Sequence, residues 1–378
     1  MQGSGSQGND SELLQAVKSV YPHVSQERTA ETSLRTIDPV SDPLWRALVE
    51  ISPEATIFHT PEWMRVVRAT FGVGMSAYLL ERAGEVVGGV PWSDIDDFVG
   101  RRRVSLAYSD FCDILAPGQE ERNLLAERVA RADGPWTLRT LAKHAPHISA
   151  PIVSSTLFKW HTIDLTPDEE SLWRGLASMT QRGIRKAERS GVQVHIAATK
   201  DELRAWFLLH LQTRKYRHDL LAQPYSFFEN IWDAYMPNGQ GFLLLASHEG
   251  KVIAGTMYLL WRDTCYYKFN ASDGDNLAVR PNNVLMWQGM LEAKRRGYRL
   301  FDLGRSNAQQ SGLVAFKESF GALPEDLNAI TYQLNDPWAA QRREALGLFK
   351  ELTHLLVDPA VPDAVSEKAG ALLYRFFT

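Results

Sequence analysis

Apolar positions along the chain alternate between two periods, and the alternation outlines its elements. "DPLWRALVE" and "TPEWMRVVRATFG" repeat apolar residues at helical spacing. In the second, Thr60 stands as N-cap, Pro61 at the first helical position and Gly72 as the stop. "AYLLERAGEVVGGVPW" then places two strand-like runs around Ala83-Gly84, which predicts a hairpin. "RRRVSLAYSDFCDIL" reads as a strand, "EERNLLAERVARA" as a helix, and "WTLRTLA" and "FKWHTIDL" as two more strands.

The second half repeats this mixture. "DEESLWRGLASMTQRGIRKAERSG" reads as one helix stopped at Gly191, followed by the strand "VQVHIA" and the helices "DELRAWFLLHLQTRKYRH" and "YSFFENIWDAYM". "GFLLLASHEGKVIAGTMYLLWRDTCYYKFNASD" holds three strands turned at Glu249-Gly250 and Arg262-Asp263. "PNNVLMWQGMLEAKRRG" is a helix opened by Pro281 and closed by Lys294, Arg295, Arg296 and Gly297. A strand, a short helix and the strand "LNAITYQL" finish the unit. "LLERAGEVVGGV" and "LLASHEGKVIAGT" align Gly84 on Gly250 and Gly89 on Gly255, the sign of two copies of one α/β unit. The domain reading is a polar, partly disordered leader over 1–35, an N-terminal domain over 36–165, a C-terminal domain over 166–335 and a helical tail over 336–378.

Composition changes this picture little. A 378-residue chain that is 44% hydrophobic, with net charge −4, is an ordinary globular protein and no polycation. Cys112 and Cys265, far apart, give no disulfide or metal framework and fit a reducing compartment. The start "MQGSGSQGND" has no signal-peptide pattern. The longest apolar run, Val252–Trp261, is well short of the ~20 residues that span a bilayer. The expected location is cytoplasmic. His144 and His147 lack further ligands at metal spacing, so no metal is assigned.

Charge is uneven, however. Gln181–Leu220 carries nine Lys or Arg against four Asp or Glu. Arg182, Arg185, Lys186 and Arg189 recur at three- and four-residue steps, which places them on one helix face, and Arg214, Lys215 and Arg217 follow. Such a face is either solvated or meets phosphate.

In the C-terminal unit the order strand, helix, helix, three strands, helix, strand, helix, strand resembles the GNAT acyltransferase fold. The glycine-rich pyrophosphate loop of ordinary GNAT enzymes is replaced by "NLAVRPNNVL", where a helix N-terminus with Arg280, Asn282 and Asn283 is suited to an anion. "SMTQRGIRKAERSGVQV", "TRKYRHDLLAQPYSFF", "RPNNVLMWQGMLEAKRRGYRLFDLGRS" and "GLVAFKESFGA" together resemble the Fem family and the related GNAT-like acetyltransferases of the CelD/BcsL group.

That resemblance implies two tandem GNAT-like domains with mixed, mainly antiparallel sheets. It implies a transferase that moves an amino acid from aminoacyl-tRNA to an amine of a peptide or cell-wall-precursor acceptor, in contact with a tRNA acceptor stem and a small or lipid-linked acceptor. The alternatives are an N-acyltransferase using acyl-CoA on a sugar or polysaccharide precursor, and a non-catalytic scaffold; no cofactor is expected to stay bound. No long helical arm interrupts the chain, a departure from some family members.

The resemblance also makes Lys317 the cation for the oxyanion and Phe316 its positioning neighbour. By spacing alone, Leu313, Phe316 and Phe320 form a buried stripe with Lys317 at its edge, where a lysine also snorkels to solvent. Asp110, Asp113 and Asp302 are candidates for the general base, or else turn caps. Tyr267, Asn270, Trp287, Arg305 and Ser306 complete the substrate-binding candidates.

Overall fold

The computed structural model describes residues 32–132, 134–333 and 339–377. The expected leader lies outside the described residues except at its end, where β1 (Thr32–Ile37) pairs antiparallel with β2 (Gly74–Arg82). The further strands are β3 (Glu85–Ile95), β4 (Arg102–Val104), β5 (Trp136–Leu141), β6 (Ile152–Asp164), β7 (Gln193–Ile196), β8 (Gly241–His248), β9 (Lys251–Trp261), β10 (Thr264–Ser272), β11 (Leu300–Asn307) and β12 (Leu323–Tyr332).

The chain forms two compact units. Among the described residues, one holds 32–157 with 327–333 and 339–342, the other Phe158–Asp326 with Arg343–Phe377. The boundary falls at Leu157/Phe158 rather than 165/166. The helices Ala339–Val357 and Asp363–Leu373 are therefore no separate tail, since Arg343–Phe377 packs with the second unit.

In the first unit the strands run in the order β1-β2-β3-β4-β5, followed by the Leu327–Tyr332 part of β12. In the second the order is β7-β8-β9-β10-β11-β6. Each sheet is antiparallel except for one parallel pair at the same place, β4 with β5 and β10 with β11. Each sixth strand comes from an unexpected part of the chain. "LNAITYQL" appeared to close the C-terminal unit but belongs to the first, and "FKWHTIDL" appeared to belong to the N-terminal half but belongs to the second. Hydrophobic patterning marks both segments as strands but holds nothing about which sheet receives them.

The repeat extends to individual residues. Leu79 faces Gly89 and Leu245 faces Gly255; both hairpins slip register one step later, between Leu80 and Glu81 and between Ala246 and Ser247. Both turns use two left-handed residues, Ala83 (φ 53°) with Gly84 (φ 82°) and Glu249 (φ 52°) with Gly250 (φ 78°). That geometry matches the right-handed twist of the strands. A Cβ on Gly89 would lie 2.9 Å from the Trp45 ring, and one on Gly255 2.5 Å from Trp206. In both units a tryptophan thus lies against a glycine of the central hairpin.

Local departures have local causes. "DEESLWRGLASMTQRGIRKAERSG" is two helices, Glu169–Gly175 and Ser178–Arg189, because Leu176 is extended and turns its side chain into the core. "RRRVSLAYSDFCDIL" keeps only three residues of strand; Leu106 (φ 52°) and Tyr108 (φ 62°) then bend the backbone out of the sheet.

Two buried side chains give measurable consequences. Gly289 lies against Tyr258, whose hydroxyl donates to the Leu285 carbonyl at 3.0 Å and would sit 2.3 Å from an added Cβ. On an open helix Gly→Ala stabilises by about 1 kcal/mol. Here overpacking costs about 1–3 kcal/mol. Gly289→Ala should therefore lower the Tm in a thermal melt, and a raised Tm would show that Tyr258 has room to move.

His210 is buried against Trp206 and Phe228, and burial, with Arg214 adding to it, lowers its pKa to about 3. As pH falls below the ordinary histidine value of about 6.5, the unfolded chain binds a proton that the folded chain refuses, so stability falls with pH. Urea unfolding between pH 7 and pH 5 should show this. His210→Gln should shallow the slope by up to about 1.4 kcal/mol per pH unit, the equivalent of one proton.

Candidate functional site

The site begins where two parallel strands part. β10 and β11 are paired at Thr264↔Leu300, Cys265↔Phe301 and Tyr266↔Asp302, where their pairing ends. β11 turns away because it carries a bulge: its register against β6 shifts between Asp302 and Arg305, with Gly304 left-handed at φ 66°. Asp302 Oδ1 holds that turn, accepting from the Gly304 amide at 2.6 Å and from Trp160 Nε1 at 2.9 Å. Past the fork, Tyr267–Asn270 become half-exposed on β10.

The segments leaving the two strands wall a cleft of about 550 Å³. Arg280–Asn283 follows β10 and Gly312–Phe316 follows β11; helix Ser178–Arg189 supplies the third wall through Met179, Arg182 and Lys186. Arg217 enters from a π-helical turn, Thr213–Arg217, that interrupts the end of helix Lys200–Gln212. Four cations, Arg182, Lys186, Arg217 and Arg280, thus face a cleft that no carboxylate lines among the described residues. The amide groups opening helix Pro281–Arg295 add their dipole. The arrangement is built to take an anion.

Packing positions the walls. Gly183 lets helix Ser178–Arg189 approach so closely that a Cβ there would stand 3.0 Å from the Asn283 amide. Asn270 Nδ2 donates to Thr256 Oγ1 at 2.8 Å and to Asn282 Oδ1 at 3.3 Å, and Asn282 Nδ2 donates to Ser272 Oγ at 3.3 Å. This chain of bonds fixes the helix start to the free part of β10. Arg280 stands in the left-handed region at φ 61°, a strain of about 1–2 kcal/mol for a residue with a Cβ.

Comparison with known proteins supplies the class. Residues 176–318 match the family model for an acetyltransferase (GNAT) domain. That match lies within the second unit. Among curated proteins, the UDP-N-acetylmuramoylpentapeptide-lysine N(6)-alanyltransferase of Weissella viridescens is 25% identical over 166 residues, 42% of this chain and 47% of that protein. The lipid II:glycine glycyltransferase of Staphylococcus haemolyticus (strain JCSC1435) is 29% identical over 102 residues, 25% of this chain and 24% of that one. The chain spans less than half the length of these curated relatives. The crystal structure of FemX superposes with a TM-score of 0.55 at 13% identity, covering 84% of this chain and all of that one. The fold is the expected tandem GNAT-like arrangement, and the sequence relatives are Fem-type transferases.

Within the matched region, Arg182, Lys186, Arg217, Arg280, Asn282, Asn283 and Phe316 line the cleft. Asn270 braces it from behind. The basic helix does not present its cations on one face: Arg182 and Lys186 face the cleft, while Arg185 lies over the Trp173 ring at 5.2 Å. Arg214 spends its Nε on the Leu221 carbonyl, and Lys215 is buried on Asp363 and the Val361 carbonyl. Trp287 is buried in the domain core, edge-on to Trp173, and Tyr267 packs edge-on to Tyr258. Arg305 lies over the Phe158 ring at 4.7 Å, and Ser306 is buried.

Lys317 departs most from expectation. Only 4% exposed, it donates from Nζ to the Gly304 carbonyl at 2.8 Å and the Arg305 carbonyl at 3.2 Å. It braces the bulge from beneath and neither snorkels nor lines the cleft. Leu313, expected to be buried, is 42% exposed.

The carboxylates are equally committed. Asp302 caps its own turn. Asp113, in the first unit, accepts from Thr140 Oγ1 at 2.6 Å, His144 Nδ1 at 2.7 Å and the Ile114 amide at 3.0 Å. Buried and hydrogen-bonded, both act as structural acceptors. Asp110 is half-buried near Tyr108, which stacks on Phe71. Sequence reading missed Met179, Gly183, Leu277 and Gly312 on the cleft wall, because small and apolar residues carry no chemical signature.

Arg280 allows its two roles to be separated. Arg280→Gly removes the backbone strain, so Tm should hold or rise by the equivalent of about 1 kcal/mol. The same variant should bind a nucleotide or polyphosphate anion at least several-fold more weakly in calorimetric titration. Unchanged anion affinity would remove Arg280 from the site.

Proposed function

We propose that this protein is an amide-forming aminoacyltransferase of the Fem type, which moves an amino acid from aminoacyl-tRNA to an amine on a peptide or cell-wall-precursor acceptor. The observation that carries the reading is the four-cation cleft at the fork of β10 and β11. The cations are exposed and distributed over three elements, a pattern suited to successive phosphates of a strand end rather than to one enclosed group. The curated relatives are named for transfer of glycine and of alanine, the latter to a lysine amine, and they suggest the acceptor class.

The reaction asks three things of the chain. The donor ester must be fixed by its phosphates, the attacking amine must lose a proton, and the oxyanion of the tetrahedral intermediate must meet a positive or N–H group. The last is worth roughly 3–4 kcal/mol in comparable sites. C–N bond formation then expels the ribose hydroxyl of the tRNA. Phe316 on the cleft wall and Lys317 behind it are the proposed neighbours of the reacting carbonyl. The proton of the attacking amine passes to a base that the acceptor itself supplies.

A second reading uses acyl-CoA. Its support is that the cleft lies at the start of helix Pro281–Arg295, the place where GNAT enzymes hold the pyrophosphate.

Incubation with charged tRNA and a UDP-linked muramoyl-pentapeptide should yield a product heavier by one aminoacyl residue. Arg182→Ala and Lys186→Ala should each lower kcat/KM about tenfold or more, since a charge-assisted contact is worth about 1.5–3 kcal/mol. Binding of tRNA should weaken steeply with salt. A Tm shift with acetyl-CoA and none with tRNA would reassign the donor, and loss of both shifts would leave the scaffold reading.

A further inference from the structure

Beneath helix Ser311–Glu318 lies a polar cluster with no part in the cleft. His161, on β6, is fully buried, and neither ring nitrogen has a hydrogen-bond partner; the Lys159 backbone lies close but outside bonding geometry. Ser306, on β11, is 2% exposed, and its hydroxyl is also unpartnered. The register Ser306↔Lys159 puts both residues on one face of the sheet, because Lys159 and His161 alternate onto the same side. His161 stands opposite the bulge that Lys317 braces, with Glu318 Oε1 at 3.9 Å. Burial, and after it the Lys317 charge, hold the imidazole below the usual histidine pKa, so it is neutral at pH 7.

Burying unsatisfied polar groups is costly and rare in native proteins. Two at one place, beside the lysine singled out by motif, mark a site whose other form satisfies them. The helix above is suited to move. Of its eight residues only Lys317 is buried; its ammonium ties the helix to the bulge carbonyls, and Phe316, half-buried on the core beside Phe320, is the other hold. Its C-terminal end is anchored: Thr180 Oγ1 donates to Ser319 Oγ at 2.8 Å, and the Ala177 amide to the Ser319 carbonyl at 2.9 Å. Gly321, left-handed at φ 83°, follows. Its N-terminal end, Ser311–Leu313, is exposed.

We propose that helix Ser311–Glu318 is a lid latched by Lys317, and that its opening uncovers His161 and Ser306 as polar contacts for the acyl carbonyl or the attacking amine while turning Lys317 toward the cleft. His161 and Ser306 are then substrate-facing groups of the open form. In the closed form their unmet hydrogen bonds bias the latch toward opening. The assignment of the substrate rests on the transferase reading; the latch itself does not.

Lysine acetylation of the full chain, followed by peptide mass spectrometry, tests the latch without any substrate. Lys317 should be modified well over tenfold more slowly than Lys186. His161→Leu removes the cost of closure, so Tm should rise and Lys317 should be modified about fivefold more slowly still. Ser306→Ala, a smaller change, should act in the same direction. Amide exchange across Ser311–Glu318 should be faster than across Pro281–Arg295. The latch is overturned if Lys317 in the wild type reacts as fast as Lys186. It is equally overturned if its rate is unchanged in both variants, or if the helix exchanges only with global unfolding. Should transfer be detected, His161→Leu should lower kcat and leave KM in place. If the labelling differences hold and no transfer is found with any donor, the transferase reading fails and the lid stands.

Discussion

The parting of β11 from β10 after Tyr266 is the constraint on which the second unit's chemistry depends. Continued pairing would make the sheet flat there and remove any space between the segments that follow the two strands. The cause is local and polar. Asp302 folds the chain back onto the Gly304 amide, Gly304 takes a left-handed conformation, and Lys317 satisfies the carbonyls that the bulge turns out of the ladder. A buried ammonium is costly unless its protons find acceptors. Carbonyls displaced from a sheet are equally costly unless they find donors. Each defect meets the need of the other, and this mutual dependence keeps the bulge in place.

The same reasoning explains why the cleft is basic. A fork in a sheet leaves backbone groups that cannot be covered by apolar side chains. The helix that leaves β10 presents its N–H end there, and cations on neighbouring helices extend the positive field. Because Arg182, Lys186, Arg217 and Arg280 are exposed, their mutual repulsion is screened by solvent and salt and costs little in the empty protein. An arriving phosphate displaces that solvent and meets all of them together. Surface placement suits recognition of a long anion better than tight enclosure would.

Much of this was legible in the chain. Glu249-Gly250 and Ala83-Gly84 announced their hairpins because only certain residues tolerate left-handed turns, and Pro61 and Pro281 announced helix starts because their missing N–H costs nothing there. The duplication was visible in the spacing of Gly84 with Gly89 and Gly250 with Gly255. Structure then deepened it to a shared register slip and a shared tryptophan–glycine contact. The exchange of sixth strands was not legible: Leu327–Tyr332 and Phe158–Asp164 have ordinary strand patterns, and their partners lie far away in sequence. Nor was the burial of Lys317, since helical periodicity places it at the edge of a stripe of which Phe316 and Phe320 reach the core but Leu313 does not. His161 gave no signal at all, because one histidine among alternating strand residues reads as a core or surface position equally well.

Lys317 shows what a motif can and cannot fix. The resemblance to Fem-type proteins identifies the residue but says nothing of the state in which it is seen. A lysine whose protons are held by two carbonyls has little left with which to stabilise an oxyanion, so bracing the bulge and acting on a substrate compete for the same ammonium. The competition is resolved only if the helix bearing Lys317 has two positions separated by a small free energy. The unmet polar groups of His161 and Ser306 raise the energy of the closed position, while the carbonyl bonds lower it. Strengthening the latch by filling the space under it with apolar side chains would favour the closed position at the expense of the open one. A tight apolar core at this point would make the protein more stable and hold Lys317 where it serves only the bulge.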